Sequence, residues 1–136
     1  MGFKEDIAAA IAGTRRSITV PIELNGHKYK FKFTQMDGTE YAAETLRHPP
    51  RLEIGLDREF GYNLNSLSQA VAPKCGVRLD GAEEIEMSAE EWADLFAAAD
   101  GGAVQEIANT IFTLNQFASA KAVQAVKKVL DGSLPN

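Results

Sequence analysis

Between residues 17 and 35 apolar and polar side chains alternate, and the alternation is interrupted once, at Asn25-Gly26. A period of two marks a half-buried strand. Asn-Gly supplies the two positive φ angles of a type I′ turn. The pattern predicts a hairpin with strands at 17–24 and 27–35. Folding at the tip sets Glu23 opposite Lys28, Ile22 opposite Tyr29, Val20 opposite Phe31, Thr19 opposite Lys32 and Ile18 opposite Phe33. One face is then apolar and aromatic, and the other carries lysines, a glutamate and a threonine. Pro21 has no N–H, which sends its strand to a sheet edge or leaves its N side unpaired.

Elsewhere the apolar period is helical. Phe3, Ile7, Ala10 and Ile11 make one stripe over residues 3–12, and Gly13 ends it. After the Asp37-Gly38 turn, Thr39 caps a short helix with Tyr41, Thr45 and Leu46 facing inward, stopped by Pro49-Pro50. Residues 51–60 are charged and without period, so they read as a connecting loop with room for a short strand at 52–56. Leu64, Leu67 and Val71 predict a helix over 63–72 with Pro73 as its stop. The segment "MSAEEWADLFAAADGG" holds the clearest helix. Ser88 and Glu91 form a capping box, Met87 and Trp92 a hydrophobic staple. Trp92, Leu95, Phe96 and Ala99 face inward, and Gly101-Gly102 ends the run. A helix over 103–117 follows, with Val104, Ile107, Ala108, Ile111, Phe112 and Leu114 in its stripe. The last runs over 119–131, with Ala122, Val123, Val126, Val129 and Leu130 apolar, Lys127 and Lys128 suited to its C-terminal dipole, and Gly132 as cap.

Strands early and helices late predict an α+β fold. The expectation is an N-terminal β-hairpin (about 17–35) packed on a mainly α-helical remainder of five or six short helices, in a single domain over 1–136. A lone hairpin is marginal in water, so its dry face must rest on helices or on another chain.

Composition narrows the function. A chain of 136 residues, 45% hydrophobic and 24% charged, is long enough to bury a core without disulfides or metal. The single Cys75 allows no internal disulfide, which fits a reducing compartment. No apolar run reaches membrane-spanning length, and the acidic start "MGFKEDIAAAIAG" does not read as a secretion signal. A net charge of −5 disfavours nucleic acid as a partner and favours solubility.

No catalytic constellation emerges from the spacing. His27 sits beside the hairpin tip and His48 before two prolines, neither with a nucleophile suggested by a motif. Lys74 and Arg78 flank Cys75 and would lower its pKa. The acids of "DGAEEIEMSAEE" lack EF-hand spacing, and Glu90 and Glu91 suit a helix N-terminus. Lys28, Lys30 and Lys32 form a basic row that guards an exposed strand. No cofactor and no metal are expected. What remains is apolar surplus on the last helices: Ile107, Phe112, Phe117 and Val123 are the candidate partner-binding residues. Thr19, Pro21, Lys30 and Lys32 are the candidate self-association edge.

The order of segments resembles the tail assembly chaperones of long-tailed (siphovirus-type) bacteriophages and prophages, especially those of actinobacterial hosts. "YKFKFTQM" leads into "DGTEYAAETLRHPP", a short helix ending at His48-Pro49-Pro50. "FGYNLNSLSQAVAP" follows, with a helix just after a Tyr-Asn pair and ending at a proline. Then comes "MSAEEWADLFAAADGGAVQEIANTIFTLNQF", an acidic capped helix with its Trp, a glycine break, and a long helix ending in Leu114-Asn115. The resemblance covers roughly residues 17–117. It implies a non-enzymatic protein of the host cytoplasm that binds the long, helical tape-measure protein, keeps it soluble while the tail tube assembles, and is absent from the mature virion. It also implies several copies on one client, self-association, and a longer frameshifted form. The alternatives are a structural minor tail or tail-completion protein, a small enzyme using His48, Glu44 and Asp57, and a nucleic-acid binder retained on polyanions in a salt-sensitive way.

Overall fold

In the computed structural model, which describes residues 2–13 and 15–116, the N-terminal hairpin closes as its sequence requires. Strand β1 (Ser17–Leu24) and strand β2 (His27–Thr34) pair antiparallel in the register set by the turn, from Leu24 opposite His27 to Ser17 opposite Thr34. Asn25 and Gly26 carry φ of 51° and 78°, the left-handed pair of a type I′ turn. Ile18, Val20, Ile22, Phe31 and Phe33 are buried, whereas Tyr29, nearer the tip, stays exposed.

The hairpin is half of a larger sheet. Strand β3 (Gly76–Asp80) pairs antiparallel with β2, and strand β4 (Glu83–Ile85) with β3, giving the order β1-β2-β3-β4. Gly81, first of the two residues joining β3 to β4, has φ 62°, where a tight turn favours glycine. The acidic run after Asp80 is thus partly a strand: Glu84 takes the Lys32 ammonium at 2.8 Å.

Six helices complete the α+β fold among the described residues: α1 (Phe3–Ala12), α2 (Gly38–Leu46), α3 (Gly55–Phe60), α4 (Leu64–Cys75), α5 (Ala89–Ala98) and α6 (Gly101–Gln116). Helices α4 and α6 contact the sheet and each other, and α5 contacts α4. The hairpin's dry face therefore rests on the chain's own helices. One apolar cluster joins Val20, Phe31 and Phe33 to Leu67, Val71, Trp92, Ile107, Ile111 and Leu114. Trp92 packs against the rings of both Phe31 and Phe33, with centroids 5.9 Å and 5.7 Å away.

Several boundaries differ from the sequence reading. Residues 55–60 are helical, closed by Gly61 at φ 86°, whose N–H donates to the Asp57 carbonyl. Pro73 does not stop α4. It sits in the last turn, and the helix runs on to Cys75 and straight into β3. Gly101-Gly102 opens α6 rather than closing α5, because the Asp100 side chain caps α6 by accepting from the Ala103 N–H. Along α2 the inward positions are Tyr41 and Glu44, and Leu46 is exposed. The capping box stands as expected: Ser88 Oγ accepts from the Glu91 N–H, and the Glu91 carboxylate from the Ser88 N–H. The helix expected over 119–131 lies outside the described residues.

Candidate partner-binding surface

The chain between α2 and α4 is fastened by polar groups at many points. Glu44 is almost wholly buried, and its Oε1 accepts from Lys74 Nζ at 2.8 Å and Arg47 Nη1 at 2.7 Å. The Lys74 hydrogen bond above all holds the Glu44 carboxyl below the usual carboxylate range. This contact ties α2 to α4. Asp57 accepts from the Arg51 backbone N–H at 2.9 Å and from the guanidinium at 2.8 Å and 3.1 Å. Those bonds lower the Asp57 pKa and raise that of Arg51. Arg58 Nη1 donates to the Leu52 carbonyl at 2.6 Å. The Asn63 N–H donates to the His48 carbonyl, and the Tyr41 and Tyr62 hydroxyls meet at 2.6 Å, with burial raising both phenol pKa values.

This fastened segment holds apolar side chains in water. Leu46 is 84% exposed, Leu52 72%, Ile54 37% and Leu56 41%. Exposed leucines scattered singly are ordinary on a protein surface. Here four fall between Leu46 and Leu56, at the end of α2 and on backbone tied by the Asp57–Arg51 pairing and by the Asn63 N–H to the His48 carbonyl.

Of the four residues expected at the client surface, Ile107 and Phe112 are among the described residues. Ile107 is fully buried between sheet and helices, so it is core. Phe112 is half-buried, with its ring in an edge-on contact with Phe60 at 4.6 Å. Ile107 reads as surplus in the sequence because an amphipathic stripe looks alike whether it faces the chain's own core or a partner. Phe117 and Val123 lie outside the described residues.

The proposed edge is also narrower than expected. Thr19 and Pro21 are on β1, an edge strand. Lys30 and Lys32 are on β2, which is bonded on both sides, with Leu79 and Val77 as their β3 partners, so they offer no free backbone. The two-residue turn makes Leu24 and His27 a hydrogen-bonded pair. Main-chain groups of Ile22, Val20 and Ile18 then point to β2, and those of Glu23, Pro21 and Thr19 to the open edge. Pro21 thus removes one donor from the middle of that edge.

The chemical candidates come out as follows. His48 meets Ser66, a residue the sequence reading passed over, with Nδ1 2.9 Å from its Oγ. The nearest Glu44 oxygen is 3.9 Å from His48 Nε2, beyond hydrogen-bond reach, and Glu44 is already committed to Lys74 and Arg47. Ser66 also donates to the Asn63 carbonyl and receives the Asn63 cap through its own N–H. Asp57 is saturated by Arg51. His48, Glu44 and Asp57, the residues of the alternative enzyme reading, each hold a tie to another part of the chain. His27 Nδ1 lies 3.1 Å from the Asn25 carbonyl, inside its own turn. Burial pushes the Cys75 thiol up to about 12, opposite to the lowering expected from Lys74, whose ammonium is spent on Glu44. No His, Cys, Asp and Glu cluster of metal-binding size occurs among the described residues. No protein-family model, curated protein or solved structure matches this chain.

Proposed function

We propose that this protein is a non-catalytic assembly chaperone of the phage-tail kind, which binds the apolar faces of a long helical tape-measure protein in the host cytoplasm and leaves before the virion is complete. The observation that carries the reading is the pinned segment from Leu46 to Leu56 with its four exposed apolar side chains. A helix presenting apolar anchors at i, i+3, i+4 and i+7 is a ligand of matching chemistry for exposed apolar side chains. The resemblance in the order of segments, from the hairpin through His48-Pro49-Pro50 to Leu114-Asn115, adds support. A rigid surface suits this task because little side-chain or loop entropy is lost on binding. Copies of the chain meet along the open edge of β1, at Thr19 and Glu23, and several then share one client.

Co-expression with the long helical protein encoded beside this one tests the reading. The client becomes soluble and co-purifies with the chain, and purified virions lack the chain. A client that stays insoluble and unbound overturns the proposal. Recovery of the chain from purified virions moves it to a structural tail protein.

A further inference from the structure

Helix α1 keeps its apolar face in water. It has ten residues and none of them is buried. Phe3, Ile7 and Ile11, which form its apolar stripe, are all exposed. A helix of that length is marginal in water on its own, because tertiary packing supplies most helical stability.

Beside the C-terminal half of α1 opens a hollow of about 470 Å³. It is lined by Ile7, Ala10 and Ile11 of the helix and by Arg15, Arg16 and Gln35 of the chain beyond it. The wall beyond the helix is tied to the body of the protein. The Gln35 N–H donates to the Arg16 carbonyl at 2.8 Å, and Arg15 Nη1 donates to the Met36 carbonyl at 3.0 Å. The Met36 N–H in turn donates to the Asn115 side chain of α6 at 2.9 Å. A cavity of roughly 150 Å³ already holds a benzene ring, so this hollow has room for a phenyl side chain. The chain's own Phe3 does not line it. It stands about 12 Å up the helix from Ile11.

The apolar row is symmetric about its middle. Ile7 is four residues from Phe3 and four from Ile11. Two α1 helices laid antiparallel about a two-fold axis at Ile7 therefore set Ile7 against Ile7, and Phe3 of each copy against Ile11 of the other. Each Phe3 then arrives at the other copy's hollow. Charge favours this direction. Glu5 and Asp6 outweigh Lys4 at the start of α1, and Arg15 and Arg16 follow its end. An antiparallel pair brings the acids of each copy toward the arginines of the other, whereas a parallel pair sets like charges side by side.

We propose that α1 is a pairing element through which two copies of this chain join, helix antiparallel to helix, with each Phe3 seated in the hollow of the other copy. Such a contact is self-complementary, as a two-fold interface must be. It is also small, so the pairing is concentration-dependent. It uses none of the residues of the open β1 edge, and it does not depend on the identity of the client.

Disulfide trapping on the full chain, without client, tests it. Phe3, Ile7 and Ile11 are replaced by Cys one at a time, and the parent, whose one cysteine is Cys75, is the control. Emission from Trp92, buried in the core, reports that each variant is folded. In an antiparallel pair only position 7 meets itself. The two copies of position 3, like those of position 11, stand about 12 Å apart along the axis, beyond the reach of a disulfide. Ile7→Cys should therefore give a linked dimer at least about tenfold faster than Phe3→Cys or Ile11→Cys alone, and mixing those last two should restore the fast reaction. Equal rates for the three single variants overturn the proposal, since a parallel or unspecific contact is then at work. Linking of Ile7→Cys no faster than the parent overturns it too, because the face is then covered by something other than a second α1.

Discussion

The backbone of Gly76 lies against the indole of Trp92 so closely that a Cβ there would stand 2.8 Å from Trp92 Cζ2, and equally close to Phe33 Cε1. The glycine is not needed for its torsions, since φ −118° and ψ 149° suit any residue. It is needed for space, where α4 passes directly into β3. Both rings are fully buried and cannot yield easily. Gly76→Ala should therefore destabilise the fold by about 1–3 kcal/mol through overpacking. Urea unfolding followed by Trp92 emission measures it, and an unchanged midpoint would mean the rings move aside at little cost.

Thr113 makes the opposite prediction. It is buried on α6, and its hydroxyl has no hydrogen-bond partner among the described residues. A buried hydroxyl left unpaired costs about 1–3 kcal/mol relative to one that is satisfied. Thr113→Val keeps the shape and removes the polar atom, so it should be neutral or stabilising by up to about 1 kcal/mol. Thermal unfolding checks the sign.

Glu44 gives a pH prediction. Its carboxyl is held below its ordinary value of 4.5 first by the Lys74 hydrogen bond and then by the charges of Lys74, Arg47 and His48, against an opposing effect of burial. Glu40 stands 3.9 Å from the same ammonium. A carboxyl with a depressed folded pKa adds stability that is present above its unfolded pKa and lost as pH falls through the folded one. Glu44→Gln should be less stable than the parent at pH 7, with the difference shrinking as pH drops below 4.5. Asp57 titrates the same way in both proteins and cancels from the comparison. Denaturant melts of the two proteins between neutral and acid pH test this, and a pH-independent difference would show that Glu44 acts through shape and not charge.

How far the sequence could be read depended on whether its signal was local. The Asn25-Gly26 turn fixes the register of β1 against β2, and the capping box at Ser88 and Glu91 fixes the start of α5. Both are written within a few adjacent residues. Strands β3 and β4 were missed although the Gly81 turn marks them, because Glu83 and Glu84 leave β4 without an apolar alternation and only pairing with β2 makes β3 a strand. Helix α3 was missed because its Arg51–Asp57 fastening joins residues whose partnership no period announces. Ile107 illustrates the limit for function: its stripe was legible, but what the stripe faces is a tertiary fact. Leu46 shows the converse, an apolar residue whose exposure follows from Glu44 taking the inward position on α2 to meet Lys74.

Pro21 carries a prediction about assembly. Its missing N–H faces the open edge of β1, between the donors of Thr19 and Glu23. Pro21→Thr restores an uninterrupted row of donors and acceptors on an exposed strand, and such rows template pairing with further chains. Light scattering over a concentration series should show stronger self-association for the variant than for the parent. Equal association would place the contact between copies away from β1.

The client surface can be separated from the core by comparing two substitutions of the same kind. Leu52 and Leu56 are exposed on a segment held by Arg51, Asp57 and Arg58. Leu52 is 72% exposed and Leu56 41%, so charges placed there keep access to water, and surface changes of this sort stay within about 0.5 kcal/mol. The double variant Leu52→Asp, Leu56→Asp should keep the parent's unfolding midpoint yet fail to hold the helical client in solution, because charged groups would have to be desolvated against its apolar face. Phe112→Asp should do the reverse at the level of mechanism. Its half-buried ring packs on Phe60 beside the core, so a carboxylate there loses that contact and destabilises the fold, and client binding weakens with it. Co-purification and unfolding measured on the same preparations distinguish the two. A Leu52→Asp, Leu56→Asp protein that still solubilises the client would move the binding surface off this segment. A Phe112→Asp protein that stays folded but no longer binds would return it to α6.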